Sequence, residues 1–413
     1  MKGLHFLIAS LSLICSGFAN AQSRNLNDYI ELAKQNSPLI KGYQNQILQN
    51  QLDSLLLKAS LRPQVNFLST DLYAPVIKGW GYDEAITNGA QLSGLVQASR
   101  NFLSKGNLAA QYRAIGLHSL SLLDTIRLTQ KELVRTITEQ YITAYADQLT
   151  YNYTKQLYDL LKDEENALKK LAESSVIKQT DFLAFDITLQ QQQLNYLQAQ
   201  IQYAGDYLTL NYLSGIVDTS ISALPEPGLM DSLPHDFNSS VFYKRYVTDS
   251  LRIENERRLI AFSYRPTIGT YADAGYYSSL HFLPYRNFGY SFGLNLKVPI
   301  YDGHQRRLKY QKLDLQESTR VANRNFFMNQ YNQQIAQLNF QLHATDDLFQ
   351  KLQKQIEYTR TLIVAYGKLL QTGDVKVTDF VTAITNYLNS QNAYRQNLIS
   401  RLRIMNQINY YNQ

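Results

Sequence analysis

From Phe288 to Ile300 the chain alternates without a break. Phe288, Tyr290, Phe292, Leu294, Leu296, Val298 and Ile300 fall on one side, and Gly289, Ser291, Gly293, Asn295, Lys297 and Pro299 on the other. A period of two predicts a strand with one apolar and one polar face. The run exceeds the roughly 9–11 residues that a tilted strand needs to cross a bilayer, and a lipid-facing barrel strand requires that two-faced pattern. The segment Ala90–Ser99, AQLSGLVQAS, alternates more weakly.

Elsewhere the period changes. Leu183, Ile187, Gln190, Leu194, Leu197, Ile201, Ala204 and Leu208 step by alternating four and three, and so do Tyr153, Leu157, Leu160, Glu164, Ala167 and Leu171. This is the spacing of a coiled-coil seam, and it predicts two helices facing one another in an antiparallel hairpin. A less regular seam follows over Val381, Ile384, Leu388, Gln391, Arg395, Leu398, Leu402 and Met405.

Proline marks the limits of these tracts, because it breaks helix interiors. None lies between Gly106 and Ile221 or between Asp302 and Gln413, where Leu, Gln, Ala, Lys and Glu abound. Each tract is interrupted once, by KLAESSVIKQTDF (Lys170–Phe182) and by KLLQTGDVKVTDF (Lys368–Phe380). Both read as a tight turn between helices. The long arms, 106–173 and 303–371, correspond to rods on the order of 100 Å. SLRPQV from Ser60 and SYRPTI from Ser263 open two strand regions in the same way.

The organisation expected is therefore a duplication. A first repeat over 22–222 has an opening helix, strands at about 62–75 and 88–103 and helices 106–173 and 178–215. A linker over 223–237 leads to a second repeat over 238–413, with an opening helix, strands at about 264–280 and 287–301 and helices 303–371 and 378–411. Four strands cannot close a membrane barrel, whose smallest forms use about eight, and an open sheet edge in lipid leaves backbone groups unpaired. Oligomerisation is implied.

Residues 1–21 fit a signal peptide, with Lys2, an apolar run from Phe6 to Ile14 and Ala19-Asn20-Ala21. The single cysteine, Cys15, would leave with it, and bulky Ile14 before it argues against lipidation. The chain of 413 residues is 45% hydrophobic and 18% charged, enough to bury a core. A formal charge of +6 spread among 34 acidic residues does not suggest nucleic-acid binding. The six histidines are scattered, and neither a phosphate-binding glycine loop nor an H-E-x-x-H motif occurs. No enzyme and no cofactor is expected.

In order along the chain, LNDYIELAKQNSP (Leu26–Pro38), LRPQV, YRPTI, VPIYDGHQRR (Val298–Arg307) and the two turns resemble the TolC-like outer membrane efflux proteins over nearly the whole mature chain. His304 stands where that family has the second glycine of its strand-to-helix signature, and Ser175 where its first turn has glycine. The resemblance implies an α+β membrane protein forming a homotrimer, with a 12-stranded outer-membrane β-barrel continued by a periplasmic α-helical tube. It implies a passive exit duct for small molecules or polypeptides, driven by an inner-membrane transporter through a periplasmic adaptor. The alternative is a trimeric surface-structural or adhesive coiled-coil protein with a barrel anchor.

On the same resemblance the adaptor would contact the tips Ser174, Ser175, Val176, Ile177 and Lys178, and Thr372, Gly373, Asp374, Val375 and Lys376. Asp379 would sit at a periplasmic constriction, with Thr382 in the place of a second carboxylate. Thr378 and Thr180 also read as helix N-caps that put Asp379 and Asp181 in a first turn, where a carboxylate favours the helix dipole. Tyr73, Trp80, Tyr82, Phe282, Tyr285 and Phe288, in the loops Tyr73–Gly89 and Ser279–Phe288, suit a membrane interface on the cell exterior.

Overall fold

The computed structural model describes residues 24–83, 89–229, 236–279, 283–372 and 374–412. The expected signal peptide lies outside them, as do Gly373, Phe282 and part of the expected linker. The order is α1 (Leu26–Asn36), α2 (Pro38–Ser60), β1 (Gln64–Tyr73), β2 (Ala90–Phe102), α3 (Lys105–Glu173), α4 (Gln179–Leu213), α5 (Val241–Ser263), β3 (Thr267–Ser278), β4 (Phe288–Lys297), α6 (Gln305–Thr372) and α7 (Val377–Asn412). The 69 residues of α3 and 68 of α6 make each a rod of about 100 Å. None of the described helices is apolar enough to cross a membrane.

The chain divides into two compact units. The first is Ser37–Glu132, Leu233–Gln337 and the residues from Tyr411 on, and it holds the sheet. All four strands are antiparallel in the order β1-β2-β3-β4. Phe67 faces Val96, Val96 faces Ala274, and Ala274 faces Tyr290. That register gathers Val65, Phe67, Val96, Phe102, Ile268, Phe292, Leu294 and Leu296 on one face of the sheet. The other face takes Asn66, Gln97, Asp273, Ser291 and Asn295, with Ser291 Oγ donating to Asp273 Oδ1 at 2.8 Å. The apolar face is open: Phe292 is 82% and Leu294 78% exposed.

Backbone closeness requires glycine at one strand position, and a ring crowds a second. A Cβ at Gly275 would lie 2.8 Å from Leu95 Cα, and one at Gly293 would meet the Tyr271 ring that packs over it. The expected strand to 301 is corrected by the structure. β4 stops at Lys297, because Pro299 has no N–H for a ladder bond. In this unit the segment before α5, α5 itself, α6 and the end of α7 bring together Phe237, Phe242, Phe327, Tyr331 and Tyr411, whose rings meet at 5.4–6.5 Å. Thr248 Oγ1 donates to Asp124 Oδ2 at 2.7 Å and Asn255 Nδ2 to Ala110 O at 2.9 Å, which pairs these two buried donors.

The second unit, comprising the chain up to Asn36, Leu133–Ser232 and Leu338–Tyr410, is helical. One core joins α1, α3 and α4 through Tyr29, Ile137, Tyr141, Tyr203, Tyr207 and Leu210. The segment after α4 is tied to it by Tyr141 OH donating to Pro225 O at 2.7 Å and Gln148 Nε2 to Leu224 O at 2.9 Å.

The seam expected on α4 is not the buried one. Leu183, Ile187, Leu194 and Ile201 are 51%, 68%, 61% and 75% exposed, while Phe185, Leu189, Gln192, Ala199, Tyr203, Tyr207 and Leu210 are buried. Aromatic rings bury more surface per position than aliphatic side chains, so the face with Phe185, Tyr203 and Tyr207 wins the contacts within the subunit. On α3, Leu157, Leu161 and Leu168 are buried while Leu160 is 40% exposed. The α7 seam fares better, with Ile384, Leu402 and Met405 buried.

Candidate functional site: the hairpin tips

Helix α3 ends in a Schellman arrangement, in which the residue after a left-handed cap bonds back across six residues, five positions earlier. Val176 N–H donates to Leu171 O at 2.9 Å and Ser175 N–H to Ala172 O at 3.1 Å. Ser175 takes φ 63°, a region that disfavours any side chain by about 1–2 kcal/mol. It is the position where the resemblance calls for glycine. His304, the other departure, likewise takes φ 65°, beside Asp302, whose carboxylate accepts from Arg306 N at 2.7 Å. In the second tip Asp374 N–H donates to Leu369 O at 3.0 Å, the same six-residue closure, and Thr372 Oγ1 donates to Asp374 Oδ2 at 2.6 Å.

Both tips stand on one apolar cluster. Leu157, Leu161 and Leu168 of α3, Phe185 and Leu189 of α4, Ile363 and Leu370 of α6 and Val377, Phe380, Ala383 and Ile384 of α7 bury against each other. The two hairpins are thus sealed together within one subunit. Their contributions are unequal: Val377 and Phe380 are 2% exposed, whereas their sequence counterparts Gln179 and Phe182 are exposed and half-buried.

Of the expected contact residues, Ser174, Ser175, Val176, Lys178, Thr372, Asp374 and Lys376 are exposed, while Ile177 and Val375 are half-buried. Ile177 packs on the cluster. The N-cap expected at Thr180 is corrected to Lys178, whose side chain makes no capping bond. Thr378 likewise lies inside α7, which starts at Val377, with Asp379 N–H donating to Lys376 O at 3.1 Å. Each helix starts at the residue after the lysine, which puts each threonine two residues past the cap position, too late to cap. Asp379 still falls in the first turn and is exposed; Thr382 is exposed and its Oγ1 donates to Thr378 O at 2.8 Å. A single chain supplies one copy of each. In the strand-connecting loops Tyr73, Trp80, Tyr82, Tyr285 and Phe288 are 76%, 86%, 70%, 74% and 74% exposed.

Sequence reading missed the polar features further along the same unit. A groove of about 520 Å³ runs between α3, α4 and α7 beside Tyr153, Gln192, Asn195, Asn392 and Arg395. Arg395 stacks on the Tyr153 ring at 4.3 Å, and burial pushes its guanidinium below the usual range. On the same groove, Asp147 of α3 meets Asp206 of α4. Burial, the hydrogen bond to Asp206 and repulsion from it raise Asp147 to about 7, against the pull of Arg403. Burial also pushes Asp206 upward, yet hydrogen bonds from Asp147, Gln140 and Gln202 hold it below the usual carboxylate value. Pairs of this kind across two helices leave no periodic signal in a sequence. Among the described residues no cluster of His, Cys, Asp and Glu could hold a metal ion.

No family model matches the sequence, and no curated protein does. Solved structures match over nearly the whole chain. CusC, described in connection with transmembrane channel formation, aligns with a TM-score of 0.75 at 12% identity, over 95% of this chain and 92% of that one. The outer membrane protein VceC of Vibrio cholerae aligns at 0.75 and 13% identity, over 94% and 95%. The open state of the MtrE outer membrane channel of Neisseria gonorrhoeae aligns at 0.72 and 11% identity, over 94% and 88%. At such identities the likeness is one of fold, and the α+β fold expected from the resemblance is the fold this chain has.

Proposed function

We propose that the chain is one subunit of a homotrimeric channel-tunnel of the outer membrane, a passive exit duct. The observation that supports this best is the four-stranded antiparallel sheet with one exposed apolar face, one polar face and two free edges. Lipid satisfies the apolar face, and only closure satisfies the edges. Because β1 and β4 run antiparallel to one another, β4 of one copy can pair with β1 of the next in the same sense as every other pair. Three copies then give twelve strands around a polar lumen. The exposed four-three seam of α4 asks for a partner as well, and a neighbouring copy in a helical wall supplies it. The likeness in fold to outer-membrane channels favours this reading over an adhesive stalk.

In this reading the barrel lies in the outer membrane and the helices reach through the periplasm as a tube. An adaptor fed by an inner-membrane transporter docks on the tips. The docking test belongs to exposed positions, since charging half-buried Ile177 would also damage the cluster beneath it. Val176→Glu and Lys376→Glu, each made in the full-length protein, are expected to abolish export in cells while trimer amount and outer-membrane insertion stay at wild-type levels. Export that survives both substitutions would place the adaptor elsewhere.

A further inference from the structure

The two rims of the sheet differ in charge. At the rim where the strands meet helices α2, α3, α5 and α6, Lys58 and Arg62 precede β1, Arg100 and Lys105 flank the end of β2, and Arg265 precedes β3. After β4 come Lys297, Arg306, Arg307 and Lys309, with Asp302 the single acid in any of these four stretches. The loops of the opposite rim balance, with Lys78 and Arg286 against Asp83 and Glu84.

All these rim cations are exposed, and none forms an ion pair among the described residues. A little further along the helices the arginines pair normally: Arg257 with Asp314 at 2.6 Å, Arg258 with Glu254 at 2.5 Å and Arg320 with Glu317 at 2.6 Å. At the rim four of the cations lie over aromatic rings. Arg100 is 5.2 Å from the Phe102 centroid, Arg265 4.7 Å from Phe262, and Arg306 and Lys309 each 5.5 Å from Tyr264. Phe102, Leu296 and Ile300, 45%, 64% and 94% exposed, continue the apolar face into this zone. An ordinary solvated face mixes both signs of charge. Unpaired cations interleaved with aromatic rings and adjoining an apolar band fit an interface between hydrocarbon and anionic headgroups.

We propose that this rim binds the phosphates of anionic phospholipids in the membrane leaflet nearer the helices, an inference that rests on the membrane-channel reading above. The test inserts the full-length protein into vesicles of equal parts phosphatidylglycerol and phosphatidylcholine. Insertion is checked by flotation, and the lipid that remains bound after gentle detergent extraction is quantified. Wild-type protein is expected to retain phosphatidylglycerol over phosphatidylcholine by about threefold or more. The triple variant Arg306→Gln, Arg307→Gln and Lys309→Gln should fall towards the bulk ratio, and the charge-preserving Arg306→Lys with Arg307→Lys should keep the preference. Inserted wild-type protein that takes lipid at the bulk ratio overturns the proposal and leaves the channel reading standing. Equal enrichment by the glutamine variant overturns it too, as does loss of enrichment in excess inorganic phosphate at constant ionic strength, which would make free phosphate the ligand. Failure to float with these vesicles overturns the membrane reading and this inference together.

Discussion

Single residues give this fold its points of stress. Ser175 and His304 hold left-handed φ values, and both were visible in the sequence as departures from glycine; the conformation each must adopt is a property of the turn, and the turn could be read. Asp147 could not. Its carboxyl, raised to about 7 against an ordinary 3.8 by burial and by Asp206, depends on a helix packed beside it. A folded state that holds this proton above the unfolded value binds more protons between those two pH values, so stability falls as pH rises from about 4 to 7 and levels off above. Asp206 is shifted downward and acts in the opposite sense only at the acid end. Asp147→Asn is therefore expected to flatten the decline in melting temperature between pH 4 and 7 and to leave the variant more stable than wild type at pH 8. An unchanged slope would mean that the pair does not share a proton. Asp379 is exposed in the first turn of α7, and we propose that three copies of it form a ring at the constriction. Asp379→Asn should lower cation selectivity of the channel and weaken block by trivalent cations. A lowered melting temperature with selectivity intact would reduce it to a helix-dipole partner.

At the scale of elements, the strands were the more legible. The alternation in β4 identifies the side chains of the exposed apolar face directly, and only Pro299 shortens it. The helices were legible as helices but not as packing. The four-three pattern over Leu183–Leu208 marks a genuine apolar stripe, yet pattern alone cannot say which neighbour covers it. Within the subunit the aromatic stripe of Phe185, Tyr203 and Tyr207 is buried instead. If a neighbouring copy covers the aliphatic stripe, Ile187→Glu with Ile201→Glu should convert trimers to monomers in detergent by light scattering, with helix content by circular dichroism preserved. Persisting trimers would show that the stripe faces something else.

On the scale of the whole molecule, duplication made the architecture readable. Helix, strand, strand, long helix, turn and helix occur twice, and closing the four strands of the described chain into the proposed barrel requires more than one chain. The sequence cannot display what three copies enclose. A trimer of this chain reconstituted in a planar bilayer should give discrete, long-lived conductance steps whose size follows the conductivity of the bathing electrolyte. Trimers that insert, as judged by flotation, and pass no current would be solid stalks, and the account of this protein as an open duct would be wrong.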